Sequence, residues 1–356
     1  MVEVSVIIPC RNEERFIGKC IESLISQDYP KDKLEIIIVD GMSKDKTREI
    51  VQEYIEKYPF IKLINNLRKK TVFAFNIGIK NAKGRYIAIL NAHGSYSSDR
   101  IKKCVEYIKK YKVDAVGGVS KAVSRQNSFL GKAITQALSS TFGVGNSFRI
   151  QAQEPKLADT ASGCCYKKEV FDKIGLFNEK LIYSQDIEFN QRLRKAGGKI
   201  LLVPDIVTYY YARSDFKSFC KHNFRNGLWA ILPFKYTNTM PVSWRHLVPL
   251  AFVTSLISSA ILSPFFPLFF WLFSFILGLY LLTNFYFSSK VAFKQKDFRY
   301  LLTMPIIFTS LHVVYGLGSL WGFLKVSISK QFWKNLRKII INLQEYFPLK
   351  RRDRSV

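Results

Sequence analysis

The sequence predicts an α/β domain on a mostly parallel sheet, followed by C-terminal α-helical membrane segments. Three observations lead there. Up to about residue 235, short β-branched runs alternate with longer amphipathic stretches. Residues 247–289 then run for 43 positions without a charged side chain, broken only by Pro249, Pro264 and Pro267. Finally, 54 Lys plus Arg against 27 Asp plus Glu give a net charge of +27 in a 356-residue chain that also holds 29 Phe and 18 Tyr. A disordered basic tail lacks such apolar content, so this is a folded chain that works beside an anionic partner, nucleic acid or phospholipid. The uncharged run favours the membrane. The basic residues concentrate beside it and not on an aromatic-interleaved face, which argues against nucleic acid.

Along the soluble part, 4–9 reads as a strand and 13–26 as a helix with Phe16, Ile17, Cys20, Ile21, Leu24 and Ile25 on one face. A second strand covers 35–40 and a helix 46–58; 71–82 is helical, 86–91 a strand and 100–111 a helix. Continuously apolar strands between amphipathic helices imply a sheet covered on both faces, with ligand at the strands' carboxyl ends. The segments to watch are therefore 9–13, 40–47 and 91–94. Asp40 ends a hydrophobic strand where the loop opens, suited to accept hydrogen bonds from a base or ribose, whereas Asp45 suits helix capping. Neither Gly-x-Gly-x-x-Gly nor a Walker loop is present, so the usual dinucleotide and P-loop cradles are excluded. The six cysteines lack Cys-x-x-Cys spacing and read as small core residues in a reducing compartment. The start of the chain lacks a basic leader, so its amino-terminal part is expected in the cytosol.

At about 1.5 Å per residue and roughly 30 Å of hydrocarbon, the uncharged run makes two helices, 247–263 and 266–289, joined by a turn at 263–267. Residues 290–299 carry four basic residues and one acid and belong on the cytosolic side. A third apolar stretch, 300–324, is long enough to span, yet crossing would carry nine basic residues from Lys325 onward to the wrong side. With Thr309, His312, Gly316 and Ser319 as a polar stripe, it is expected to be re-entrant or to lie against the soluble domain. Residues 326–347 have an interfacial pattern: Ile328, Phe332, Leu336, Ile339, Ile340, Leu343 and Phe347 oppose Lys330, Lys334, Arg337 and Lys338, suited to anionic lipid. The expected division is 1–235 and 236–356.

The residues also carry a family resemblance. Residues 5–13 (SVIIPCRNE), the run Asp40-Gly41-x-Ser43-x-Asp45-x-Thr47, and Asn76-x-Gly78 ahead of Ala82-x-Gly84 resemble the nucleotide-binding half of family 2 glycosyltransferases with the GT-A fold. Residues 145–149 (GNSFR), Asp159-Thr160, 175–179 (GLFNE), Gln185-Asp186-x-Glu188, 192–200 and 224–229 are similar to the membrane-bound branch that includes succinoglycan-biosynthesis glucosyltransferases. The resemblance covers roughly residues 3–232. It implies an inverting hexosyltransferase at the cytosolic face of the cell membrane, as a multi-pass protein. Such an enzyme moves a sugar from a nucleotide diphosphate sugar, UDP-sugar favoured, to a polyprenyl-linked acceptor in polysaccharide or glycan biosynthesis.

The same resemblance assigns donor binding to Pro9, Arg11, Glu13, Asp40 and Asn91, and the catalytic base to Asp186. Glu188 reads as structural, and Gln185 stands where the wider family has Glu. Most of the family carries Asp-x-Asp after the strand corresponding to the one that ends here at Leu90, to bind a divalent cation; here Asn91-Ala92-His93 leaves His93 as the metal ligand, for Mn²⁺ or Mg²⁺. Because Asn91 departs from that pattern, a catalytically inactive membrane-tethered GT-A scaffold is the alternative. Lys70, His222, Arg225 and Trp229 are candidates for the diphosphate or acceptor. His222-x-x-Arg225 followed by Trp229 resembles the Gln-x-x-Arg-Trp element of processive relatives, although an exposed basic turn, a snorkelling Arg and an interfacial aromatic account for these residues equally well.

Overall fold

In a computed structural model of the chain, which describes residues 1–124, 127–145, 153–238 and 240–346, the strands expected at 4–9, 35–40 and 86–91 are present, and a further strand that the sequence pattern does not predict, at 61–65, joins them. β1 (Val4–Cys10), β2 (Leu34–Asp40), β3 (Ile61–Asn65) and β4 (Tyr86–Ile89) pair in parallel in the order β3-β2-β1-β4. Successive side chains go to opposite faces. Val6, Ile8, Ile36 and Ile38 pack with Ile17, Cys20, Ile21 and Leu24 of α1 (Ile17–Ile25), while Ile7, Ile37 and Val39 pack with Val72, Phe75 and Ile79 of α3 (Thr71–Asn81). α2 (Thr47–Lys57) and α4 (Arg100–Tyr111) add Val51, Ile101, Cys104 and Ile108 to the first face. The first helix starts at Ile17 and not at residue 13, because 13–16 form a turn in which the Glu13 carbonyl accepts from Phe16 and Ile17 amides at 2.9 Å.

Beyond β4 the sheet changes character. It continues as β7-β5-β8-β6, from β5 (Ala115–Ser124), β6 (Lys156–Leu157), β7 (Ser162–Lys167) and β8 (Ile200–Ala212), with antiparallel pairing of β7 to β4, β7 to β5 and β6 to β8. The eight-stranded sheet is thus mixed: parallel in one half, as expected, and antiparallel in the other. Under the second half, Phe171 of α7 (Glu169–Ile174), Phe177 and Phe189 of α8 (Gln185–Lys195) stack with centroids 5.1 Å (171–189) and 4.4 Å (177–189) apart. All six cysteines are free, and five are buried.

The chain forms two compact units, Met1–Val123 with Asn146–Ala212, and Ser124–Gly145 with Arg213–Val356. The division expected at residue 235 differs in two respects: α9 (Phe216–Ile231) and the short helices α5 (Phe129–Leu138) and α6 (Thr141–Val144) belong with the apolar helices α10 (Val248–Leu262), α11 (Pro267–Gln295) and α12 (Arg299–Ser327). Three helical stretches, Trp244–Leu262, Pro267–Gln295 and Arg299–Ser327, are long and apolar enough to cross a membrane. α12 is one unbroken helix of 29 residues, so the re-entrant reading of 300–324 is not met. Its polar stripe is taken up by neighbouring segments. Asn284 donates to Thr309 Oγ1 at 3.0 Å, His312 lies 3.1 Å from the Tyr280 hydroxyl and 2.8 Å from the Phe142 carbonyl, and Ser319 donates to the Gly227 carbonyl at 3.1 Å. Gly227 and Gly318 let α9 and α12 approach backbone to backbone: a Cβ on either would run into the other helix's main chain.

α13 (Lys330–Tyr346) uses its expected lipid-facing residues differently. Phe332 and Ile339 are buried, and Asn335 donates to the Phe234 and Lys235 carbonyls at 3.2 and 2.9 Å. Among the described side chains of that helix, Trp333, Ile340 and Ile341 are the exposed large apolar ones. The Leu343 side chain, residues from 347 onward, and 146–149 lie outside what is described.

Candidate active site

The first two strands end side by side, with Cys10 opposite Asp40 and the Gly41 amide donating to the Cys10 carbonyl at 2.8 Å. Asp40 is wholly buried, and a carboxylate without water must be paired. It accepts from the Ser43 hydroxyl at 2.5 Å, the Ser43 amide at 3.1 Å and Arg48 at 2.7 Å, and Arg48 also reaches Asn65 Oδ1 at 2.8 Å. Asp40 therefore does not face the open loop; it fixes the turn after β2. Burial first, then the Asp40 charge, pushes the Cys10 thiol up, so Cys10 stays a neutral donor to Asp40 at 3.7 Å.

The rest of that turn holds the loop after β1. Ser43 Oγ accepts from the Asn12 amide at 2.8 Å, Thr47 Oγ1 from the Glu13 amide at 2.7 Å, and Asp45 from the Glu14 amide at 3.2 Å; Asn12 Oδ1 accepts from the Lys44 amide at 2.9 Å. The Asp-Gly-x-Ser-x-Asp-x-Thr spacing is thus the means by which two loops become one surface. Pro9 lies within β1, and Arg11 is exposed over Gly41, where a Cβ would meet its side chain at 3.3 Å.

The turn after β4 brings a third segment to the same strand ends. Asn91 is exposed, and His93 Nδ1 lies 3.3 Å from Glu13 Oε1, with the two side chains 43% and 23% exposed. Among the described residues no three His, Cys, Asp or Glu side chains converge as a metal site. A cation here would take one imidazole nitrogen and one carboxylate oxygen from the protein and its remaining ligands from diphosphate and water, a donor set that fits Mn²⁺ better than Mg²⁺. Lys70 is exposed at the start of α3, after Lys69 in a left-handed conformation (φ 61°).

Asp186 is the second residue of α8. The preceding Ser184 is left-handed (φ 60°), and no side chain caps the helix there. The Asp186 carboxylate is exposed, and among the described residues no hydrogen bond or ion pair engages it. Its charge is felt by the Cys164 thiol, pushed up to about 12 by burial first and by Asp186 after. Two residues on, Glu188 is buried in a bidentate pair with Arg192 at 2.8 and 3.1 Å, and Arg192 also holds the Ile174 and Leu176 carbonyls; that acid is structural. Asn76 ties α3 to the segment before α8, donating to the Phe177 carbonyl at 3.0 Å and Glu179 at 3.1 Å. Asn12, Met42, Lys69 and Ser184, four of the six described non-glycine residues with positive φ, sit in these site loops. Backbone held that way costs about 1–3 kcal/mol per residue and concentrates at functional sites.

His222, Arg225 and Trp229 lie on α9 in the second unit. The Arg225 guanidinium is 2.9 Å from His222 Nδ1, so that nitrogen is the acceptor. Burial first, then the charges of Arg213 and Arg225, lowers the imidazole pKa to about 4, which keeps it neutral.

A parallel half-sheet extended by antiparallel strands, with carboxylate-bearing loops at the strand ends, is a GT-A-like fold, the architecture of a class of glycosyltransferases. The sequence profile of Glycosyl transferase family 2 matches residues 5–175, stopping short of Asp186. The dolichyl N-acetyl-α-D-glucosaminyl phosphate 3-β-D-2,3-diacetamido-2,3-dideoxy-β-D-glucuronosyltransferase of Methanococcus voltae is 31% identical over 329 residues, 90% of this chain and 97% of that protein. Glycosyltransferase AglE of Haloferax volcanii is 29% identical over 233 residues, 63% and 71% of the two chains. The fold is shared with a mannosyltransferase from Pyrobaculum calidifontis solved with GDP-Man and Mn²⁺, at a TM-score of 0.60 and 19% identity over 90% of this chain and 87% of that one. The chain belongs to glycosyl transferase family 2 and is a glycosyltransferase of glycan biosynthesis.

Proposed function

We propose that the protein transfers a sugar, with inversion, from a nucleotide diphosphate sugar to a polyprenyl-linked acceptor at the cytosolic membrane face. The observation that carries this reading is the Asp186 carboxylate, exposed and unengaged at the start of α8 while Gln185 beside it is neutral and Glu188 is held by Arg192. One accessible base, flanked by a neutral Gln185 and a Glu188 tied up by Arg192, suits a single displacement. Asp186 takes the proton of the acceptor hydroxyl as that oxygen attacks the anomeric carbon, and the nucleotide diphosphate leaves.

On the donor side, Arg11, Lys70 and the loops held by Asp40 and Ser43 receive the nucleotide diphosphate, and His93 with Glu13 would hold a Mn²⁺ ion. That ion, when bound, supplies positive charge against the diphosphate. In the second unit Arg225, its guanidinium held by the neutral His222, stays a candidate cation for diphosphate or acceptor on the strength of the sequence pattern. UDP-sugars come first, and GDP-sugars second because the P. calidifontis neighbour was solved with GDP-Man. A polyprenyl-linked acceptor is favoured because the M. voltae relative's name specifies a dolichyl-linked sugar phosphate.

The membrane reading rests on α10 and α11 as crossings. α12 packs along α9, which exposes Lys217 and Lys221, and this favours α12 as a core helix of its unit with the basic tail at the inner leaflet. Trp333, Ile340 and Ile341 with Lys334, Arg337 and Lys338 suit anionic lipid. The test is a panel of nucleotide diphosphate sugars, with and without Mn²⁺, offered with a polyprenyl phosphate-linked sugar in vesicles. Transfer from one of them is expected. No turnover of any donor by a folded protein would overturn the reading in favour of an inactive scaffold.

A further inference from the structure

The turn after β4 carries the site's Asn91 and His93, yet neither side chain fastens the turn to the sheet. Its backbone is fastened by Tyr96. The Tyr96 hydroxyl accepts from the Asn91 amide at 2.8 Å and donates to the Asn91 carbonyl at 2.8 Å, so a single oxygen closes both main-chain polar groups of one residue. The same carbonyl also accepts from the Gly94 amide at 3.1 Å and the Cys20 thiol at 3.6 Å. Burial pushes the phenol's pKa up, and Tyr96, 5% exposed, remains a neutral donor and acceptor across the working range.

Two further residues hold the ring. At position 94 a Cβ would lie 2.6 Å from the ring carbon that bears the hydroxyl, so only glycine lets Tyr96 fold beneath the turn. Over the ring the Arg100 guanidinium carbon sits 5.1 Å from the centroid. Arg100 is 1% exposed, and among the described residues no carboxylate pairs with it. Its two terminal nitrogens donate instead to the Gly163 carbonyl at 2.9 Å, the Thr208 hydroxyl at 3.2 Å and the Val207 carbonyl at 3.3 Å, and these oxygens with the ring replace part of its hydration. A buried cation anchored in β7 and β8 thus holds an aromatic ring whose hydroxyl holds the donor-side turn.

We infer that Tyr96 is a positioning residue for the donor diphosphate: its hydroxyl locks the Asn91 main chain so that His93 meets Glu13 and Asn91 projects at the strand ends. The inference rests on the donor reading of the Asn91–His93 turn given above. Tyr96→Phe keeps the ring and its Arg100 contact and removes both hydrogen bonds, leaving the Asn91 amide without its partner. Titration calorimetry with UDP plus Mn²⁺, and GDP plus Mn²⁺ as a second probe, should show about tenfold weaker binding of whichever nucleotide the parent binds. Turnover at saturating donor should change little, a KM effect with kcat retained. Gly94→Ala, which drives the ring aside, should weaken nucleotide binding similarly. Tyr54→Phe, which removes a hydroxyl bonded to Glu22 at 2.8 Å on the α1–α2 surface, should leave it unchanged. Parent-like nucleotide affinity in Tyr96→Phe, with only the melting temperature lowered, would assign Tyr96 a purely structural role and overturn the inference. If the parent itself binds neither nucleotide, the donor reading fails and the inference with it, and the parent titration alone identifies that case.

Discussion

In the parallel half of the sheet the acidic side chains at the strand ends are already engaged. Asp40 is held by Ser43 and Arg48, Asp45 by Thr47 and the Glu14 amide, and Glu13 stands against His93. In the antiparallel half the corresponding acid, Asp186, has no partner among the described residues. The difference separates two kinds of task. A surface that must recognise a nucleotide gains from loops fixed before binding, since less order is then lost on association. A group that must take a proton needs a free lone pair and access to the acceptor.

The largest effect that would break this division comes from Asp186→Asn. The amide keeps the size of the side chain and removes the base, so the transfer rate should fall on the order of a hundredfold or more in a radiolabelled transfer assay. Next comes Asp40→Ala, which strips Arg48 and Ser43 of their shared acceptor. Because Arg48 is partly exposed, the loss should be about 2–3 kcal/mol, below that of a fully buried pair, read by urea unfolding with a parallel drop in nucleotide affinity.

The metal side sharpens the comparison from within the donor half. His93→Ala should raise the Mn²⁺ concentration for half-maximal activity about tenfold, and Asn91→Asp should lower it, because a carboxylate restores a hard anionic ligand. Activity unaffected by chelator in the parent would leave the diphosphate to Arg and Lys. The smallest effect concerns His222. Its folded pKa, about 4, lies below its unfolded value near 6.5, so the unfolded chain binds the extra proton between those limits. Stability should be full above pH 6.5 and fall as pH drops toward 4, by about 1 kcal/mol once the ring's partial exposure is allowed for. Melting curves of His222→Gln should show that slope flattened.

What was legible in the sequence follows the same division. Strands buried on both faces must be apolar throughout, so β1, β2 and β4 show as Val and Ile runs. β5 and β7 do not. β5 carries Gly117 and Gly118, where a Cβ would meet Ala161 and the Ile206 carbonyl, and β7 opens with Ser-Gly-Cys-Cys before the buried Tyr166, so close approach there replaces a β-branched run. β8 even contains Pro204. The family pattern located Asp40 and Asp186, but not that Arg48 would close over Asp40 or that Glu13 would meet His93 across 80 positions of sequence. No local spacing encodes such a pair. In the helical unit the Thr309–His312–Gly316–Ser319 stripe was readable as polar, whereas its partners were not, since the Phe142 carbonyl that meets His312 lies 170 residues away in sequence.

The most direct measurement is nucleotide affinity in Asp186→Asn set beside that in Asp40→Ala, by titration calorimetry with UDP or GDP and Mn²⁺. If recognition and proton transfer are divided between the two halves of the sheet, Asp186→Asn binds nucleotide within about twofold of the parent while its transfer is lost, and Asp40→Ala binds markedly more weakly. Equal loss of nucleotide affinity in both variants, or full transfer by Asp186→Asn, would contradict the account.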